Sequence, residues 1–216
     1  MIRDFGLLEL LTILQGMWTT LALSAVAFIG GGVFGTLVAL ARTSAWKSLR
    51  VVTAAYIDFF QGTPMLMQLF LVYYGLPAFG FHVSAWTAVA IGLTFHASAF
   101  LGEIWRGGIQ AVPKGQNEAA SALGLGYIDR MRDVVLPQAI KLSFAPTVGF
   151  LVQLIKGTSL AAIIGFVELS RSAQIVASNT YKPLIAYGLA GVCYFAICFP
   201  LSRISAYYER RFALKT

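Results

Sequence analysis

The segment Glu118–Pro137, EAASALGLGYIDRMRDVVLP, is charged, punctuated by glycine and closed by proline, in a chain otherwise apolar enough to dissolve in lipid. Asn117 stands where a helix cap would, with a side chain able to accept from the orphan N–H groups of a first turn. Glu118 to Leu123 are good helix formers, and Gly124 supplies a left-handed stop that other residues adopt only with strain. Leu125-Gly126 then turns the chain. A second short amphipathic helix is predicted from Tyr127 to about Val134, ended by Leu136-Pro137. Two short soluble helices forming an elbow between membrane spans are shaped to dock a partner. An ordinary polar loop between spans is the plainer reading of the same composition.

Working outward, the 216 residues are 58% hydrophobic and only 12% charged, with a mean hydropathy of +0.75. That excludes an ordinary soluble domain and predicts an all-α integral membrane protein. Five spans are expected, at about 18–41, 58–77, 85–104, 139–166 and 184–205, each near the roughly 20 residues a bilayer requires. Residues 5–17 suit a short amphipathic segment at the interface. Arg3, Asp4 and Glu9 argue against a cleavable leader at the start. Gly30, Gly31, Gly32 and Gly35 either let a neighbouring helix approach closely or reflect the ordinary abundance of glycine in spans. The second span reaches full length only by borrowing the flank before Pro64, and Pro146 predicts a bend in the fourth. Cys193 and Cys198, five apart in an apolar run, read as packing residues.

The formal charge of +7 follows membrane topology rather than nucleic-acid binding. Eleven lysines and arginines (Arg42, Lys47, Arg50, Arg106, Lys114, Arg130, Arg132, Arg203, Arg210, Arg211, Lys215) fall on one side of the spans, against three (Arg3, Arg171, Lys182) on the other. The positive-inside rule therefore predicts an external N-terminus, a cytoplasmic C-terminus and a cytoplasmic elbow.

Enzyme chemistry has no foothold. The chain lacks the G-x-x-x-x-G-K-[ST] loop that cradles nucleotide phosphates, and neither H-E-x-x-H nor G-x-S-x-G occurs. His82 and His96 have no carboxylate or cysteine cluster that would hold a metal. What remains is movement across the membrane, and polar residues within spans are costly enough to mark candidate pathways. Lys156, Thr158 and Ser159 lie in the fourth span beside Gly157, where a helix break is expected. His96 is read either as a packed, hydrogen-bonded histidine or as a solute contact, and Glu103 with Arg106 as a helix-end ion pair or a gate.

The elbow has the spacing E-A-A, three residues, Gly124, nine residues, Val134, one residue, Leu136-Pro137. This resembles the E-A-A loop of the membrane-spanning subunits of bacterial ABC importers, with valine for the usual isoleucine. Gly62-Thr63-Pro64, Tyr73-Tyr74-Gly75-Leu76-Pro77, Glu103-Ile104-Trp105-Arg106-Gly107-Gly108-Ile109, Gly115-Gln116, Lys156, Thr158-Ser159-Leu160 and Glu209-Arg210-Arg211 resemble its polar amino-acid branch. The resemblance implies a permease subunit of the bacterial inner membrane, for a polar amino acid or a derivative. It would work with a second copy or a similar chain, a dimer of cytoplasmic ATPase subunits and an external solute-binding protein. ATP and Mg²⁺ would be bound by the ATPase, and no cofactor by this chain. It further implies ATPase docking through Glu118, Ala119, Ala120, Ala122, Gly124, Gly126, Leu136 and Pro137. A solute pathway would include Gln61, Gly62, Thr63, His96, Glu103, Lys156, Thr158 and Ser159. Gly157 stands where relatives usually carry aspartate and Gln61 where they carry arginine, which leaves Lys156 without its expected neighbour. The alternative is an ion-gradient-driven transporter or channel, whose marks would be inverted repeats or several intramembrane carboxylates. A membrane scaffold without flux is a third reading.

Overall fold

The computed structural model describes residues 4–212. In chain order these form α1 (Leu7–Thr43), α2 (Lys47–Gly62), α3 (Met65–Ala78), α4 (Ala85–Ala111), α5 (Lys114–Ala122), α6 (Tyr127–Asp129), α7 (Leu136–Gly157), α8 (Leu169–Thr180) and α9 (Pro183–Phe212). A π-helical stretch, Arg130–Val135, joins α6 to α7 without a break, and a 3₁₀ stretch, Thr158–Ile164, follows α7. Among the described residues four helices are long and apolar enough to cross a membrane: α1, α4, the run Tyr127–Ile164 and α9. The 14 residues of α3 are apolar but about 21 Å long, short of a hydrocarbon core of roughly 30 Å.

Several expected boundaries move, each for a local reason. The interfacial segment at 5–17 is not separate: α1 starts at Leu7, with Glu9 Oε2 accepting from the Gly6 N–H at 3.0 Å. The continuous helix expected over 58–77 is split at Thr63-Pro64. Proline restricts the residue before it to extended backbone, and Thr63 has φ −117° and ψ 145°, so α2 stops at Gly62. Asn117 is not a cap. Extended Pro113 already starts α5, its carbonyl accepting the Gln116 N–H at 3.0 Å, and Asn117 sits inside the helix.

Leu136-Pro137 does not end the elbow either. Proline has no N–H for the Asp133 carbonyl and its ring would crowd it. The backbone widens instead into the π turn, with Leu136 N–H reaching back to the Met131 carbonyl. Gln138 Nε2 donates to the Val134 carbonyl at 2.9 Å, satisfying one of the groups this loosens. The helix thus passes through the proline and continues as α7.

The core is a wall of α1, α3, α4 and α7, closed by Leu23, Leu69, Val89, Leu93, Leu101 and Leu154. Its tightest contact is between α1 and α4. A Cβ at Gly31 would stand 2.4 Å from the Ala97 Cβ, and one at Gly35 3.1 Å from the Gly102 nitrogen, so these backbones touch only because the side chains are missing. Of the four glycines in that run, Gly31 and Gly35 are the two that are buried. A second cluster joins α1, α8 and α9 through Ile13, Leu169, Val176 and Cys193, while Cys198 packs on Val152 and Ile155. The two cysteines are free, buried and in separate clusters. Outside this core α1 and α9 expose Ile29, Val33, Leu37, Val192, Phe195 and Phe199, a surface suited to hydrocarbon rather than water.

Charge is sorted by end. Lys182 pairs with Asp4 at 3.0 Å at one end. At the other, Arg42 reaches the Arg50 carbonyl at 3.3 Å, and Glu103, Arg106, α5 and the arginines of α9 lie toward the same end. Arg3 and Lys215, which contribute to the charge asymmetry of the sequence, lie outside the described residues.

Candidate functional site

Two polar regions stand out: a hairpin in the charged elbow and a buried chain of side chains between α2, α3 and α4. The hairpin is built by the backbone. Gly124 N–H bonds to the Ser121 carbonyl at 3.0 Å and Leu125 N–H to the Ala120 carbonyl at 3.2 Å. This closes α5 in the paired-bond stop that needs a left-handed residue, and Gly124 has φ +78°. Gly126 is extended and starts α6. Glu118, Ala119 and Ala122 share the exposed face of α5, whereas Ala120 turns inward and is buried, so it cannot face a partner. Leu136 and Pro137 lie along the continuing helix, away from the tip.

The tip displays residues that the spacing of the elbow does not single out. Leu123, Tyr127 and Ile128 are 81%, 65% and 76% exposed. A signal for them was present, three large apolar residues in the most polar stretch of the chain. The charged residues beside them are little engaged. Among the described residues the elbow's one ion pair joins the neighbours Arg132 and Asp133 at 3.8 Å, and Arg130 lies over the Tyr127 ring at 5.8 Å. Among the described residues no ion pair links elbow charges three or four residues apart.

In the second region polar groups from three helices meet in a chain that the sequence did not reveal. Its hub is Gln68 on α3, 4% exposed. Gln68 Nε2 donates to the Phe60 carbonyl (2.8 Å), the Thr63 carbonyl (3.0 Å) and Thr63 Oγ1 (2.9 Å), while Thr63 Oγ1–H goes to the Phe59 carbonyl (2.7 Å). Those are carbonyls freed where Pro64 interrupts the helix. The other end of the amide meets His96 Nδ1 on α4 at 2.8 Å. The structure so joins Thr63 to His96, while Gln61 and Gly62 remain exposed at the end of α2.

The second interruption faces the first. At Gly157 the α-helix gives way to the 3₁₀ stretch, which stops at Gly165 with φ +82°. A Cβ at Gly157 would stand 2.9 Å from Met65 Sδ, so the first residue of α3 occupies the space a side chain there would need. Thr158 is buried and its Oγ1 donates to the Ile155 carbonyl at 2.8 Å. Ser159 Oγ donates to the Lys156 carbonyl at 2.7 Å, and the Lys156 side chain is exposed. Both hydroxyls therefore cap the broken helix. Glu103 is not part of this group: seven residues beyond His96, about 10 Å along α4, it holds Arg106, whose Nε lies 2.7 Å from Glu103 Oε2.

Beside the chain lies a cavity of about 490 Å³ between α4, α7 and α9, lined by Phe100 and Phe150 with Lys141, Gln153 and Glu209 as its charged and amide groups. Lys141 and Gln153 belong to the apolar run Tyr127–Ile164, and the fold brings Glu209 to them. A fully buried Glu168 likewise had no mark in the sequence. It caps α8 through the Ser170 and Arg171 N–H groups and takes the Tyr194 hydroxyl at 3.0 Å.

The fold thus combines apolar helices long enough to cross a membrane with an exposed hairpin at its basic end. Residues 31–214 match the family of binding-protein-dependent transport system inner membrane components, and the chain belongs to that family of inner-membrane permeases. It is 38% identical over 201 residues to a probable amino-acid ABC transporter permease of Bacillus subtilis (strain 168), covering 93% of this chain and 89% of the relative. The L-cystine transport system permease of the same organism is 38% identical over 197 residues, covering 91% and 84%. Its arginine transport system permease is 34% identical over 200 residues, covering 92% and 91%. A putative glutamine transport system permease of Rickettsia felis is 36% identical over 204 residues, covering 94% of each. Among solved structures, an amino acid ABC transporter described with histidines superposes with a TM-score of 0.87 at 35% identity, over 97% of this chain and 100% of that one. The MetNI methionine transporter shares the fold at a TM-score of 0.72 and 21% identity, over 94% and 99%.

Proposed function

We propose that this permease imports a polar amino acid or a close derivative by alternating access, powered by ATP hydrolysed in partner subunits. Relatives named for glutamine, arginine and cystine support the solute class. In this reading the chain makes five passes, α3 supplying the short one, with its N-terminus outside and its C-terminus and hairpin in the cytoplasm. It pairs with a second copy or a similar chain, receives solute from an external binding protein and itself binds neither ATP nor Mg²⁺. The path passes the facing interruptions near Thr63, His96, Gly157 and Thr158.

The observation that carries the proposal is the hairpin tip: Leu123, Tyr127 and Ile128 exposed on a backbone rigidly closed at Gly124. Exposed apolar side chains in a water-facing segment mark an interaction surface. Glu118, Ala119 and Ala122 would complete it, and α6 is continuous with α7, so a push on the tip is transmitted along one helix into the wall lining the path. ATP-driven closure of the ATPase pair would then shift the population from inward-open to outward-open states.

The test is uptake by proteoliposomes holding the assembled complex. Gly124→Val and Glu118→Lys are expected to abolish ATP-dependent uptake while ATP hydrolysis and membrane insertion persist. Full transport by Gly124→Val would reject the docking assignment, and uptake driven by an ion gradient without the ATPase would favour a secondary transporter.

A further inference from the structure

We propose that Gln68 is a positioning residue that locks His96 as its Nδ1–H tautomer, so that Nε2 is held out as an acceptor for an N–H donor of the transported solute. The first half stands on geometry alone, and the second rests on the importer reading above.

The orientation of the Gln68 amide follows from its neighbours. The end facing the Phe60 and Thr63 carbonyls, at 2.8 and 3.0 Å, must be the NH₂ group, because carbonyl oxygens only accept. The oxygen end then faces His96 Nδ1 at 2.8 Å and can only accept, so the hydrogen between them belongs to the imidazole. In a neutral ring this leaves Nε2 with its lone pair. Among the described residues Nε2 has no hydrogen-bond partner, and His96 is only partly buried.

The ring is also held in place. It lies against Phe100 at 4.5 Å and Phe150 at 6.2 Å between centroids, and those two rings stack on each other at 5.3 Å while lining the adjoining cavity. An acceptor fixed among aromatic side chains at membrane depth is costly when unpaired. A solute offering a cationic or amide N–H offsets that cost, whereas a solute offering only acceptors cannot.

The chain's two histidines make the first half directly measurable. With exposed His82 replaced by glutamine, the full-length chain labelled with [¹⁵N]histidine in lipid nanodiscs should show a pyrrole-type Nδ1 and a pyridine-type Nε2. Gln68→Met should move the signal toward the Nε2–H form. An Nε2–H form before that substitution, or no change after it, overturns the positioning role. The first spectrum decides this even if Gln68→Met fails to fold.

For the second half, ATP-dependent uptake of L-glutamine, L-arginine and L-cystine is measured with the complete complex. His96→Phe keeps the stack and should raise KM for the transported solute roughly ten-fold or more, with a smaller change in maximal rate. An unchanged KM overturns the solute contact. If the unsubstituted complex takes up none of the three, the proposed solute class fails and the solute contact with it, while the tautomer spectrum still tests the Gln68 contact separately.

Discussion

The hairpin and the Gln68 chain use polar groups in opposite ways. In the hairpin, backbone hydrogen bonds close the turn at Gly124, and the side chains of Leu123, Tyr127 and Ile128 are left outside. In the chain, side chains are spent on backbone carbonyls that Pro64 sets free, and one ring nitrogen stays uncommitted. The difference follows from the surroundings. In the proposed topology water satisfies whatever the hairpin leaves open, so its surface can be given over to a partner. At membrane depth an unmet polar group costs too much, so the fold consumes nearly all of them. Substitutions in the hairpin should therefore cost function more than stability, and those in the chain should cost both.

The largest expected loss of stability is for Gln68→Met, which strands two carbonyls and the His96 N–H at about 3 kcal/mol. Chemical denaturation in detergent would measure it, and a loss under half of that would deny the chain its structural weight. Next is Gly124→Val, where a branched residue is forced into a left-handed conformation at a cost of about 2 kcal/mol. Thr63→Val should cost about 1 kcal/mol, removing one hydroxyl while the Gln68 carbonyl bonds remain. Ile128→Asp should change stability by less than about 0.5 kcal/mol, since the side chain touches little. It should still reduce ATP-dependent uptake at least as severely as Gly124→Val. Smallest is Arg132→Ala, whose exposed pair with Asp133 is worth at most about 0.5 kcal/mol. A stability loss at Ile128 matching that at Gln68 would erase the contrast between the two regions.

What could be read from the sequence follows the same division. Gly124 was legible because a left-handed stop has a chemical signature, and the break at Gly157 because glycine and two hydroxyl residues interrupt an apolar run. Asn117 misled, since a capping residue looks the same whether or not Pro113 has already begun the helix a turn earlier. Ala120 could not be told from Ala119 and Ala122 until the hairpin's inner face was known. The π turn at Arg130–Val135 has no pattern of its own: proline there signals a stop, and only the packing of α7 shows that the helix continues. Gln68 stayed hidden because its partners, Phe60, Thr63 and His96, are brought together by the fold. A lone glutamine between apolar neighbours gives no hint of which carbonyls it will meet.

Coupling to an ATPase requires the hairpin to lie in the cytoplasm. Tyr127→Cys offers a direct probe, because the position is exposed and the chain's own Cys193 and Cys198 are buried. A membrane-impermeant maleimide should leave that cysteine unmodified in intact cells and label it in inverted membrane vesicles. Labelling from outside intact cells would put the hairpin on the wrong face of the membrane and contradict its role as the docking element.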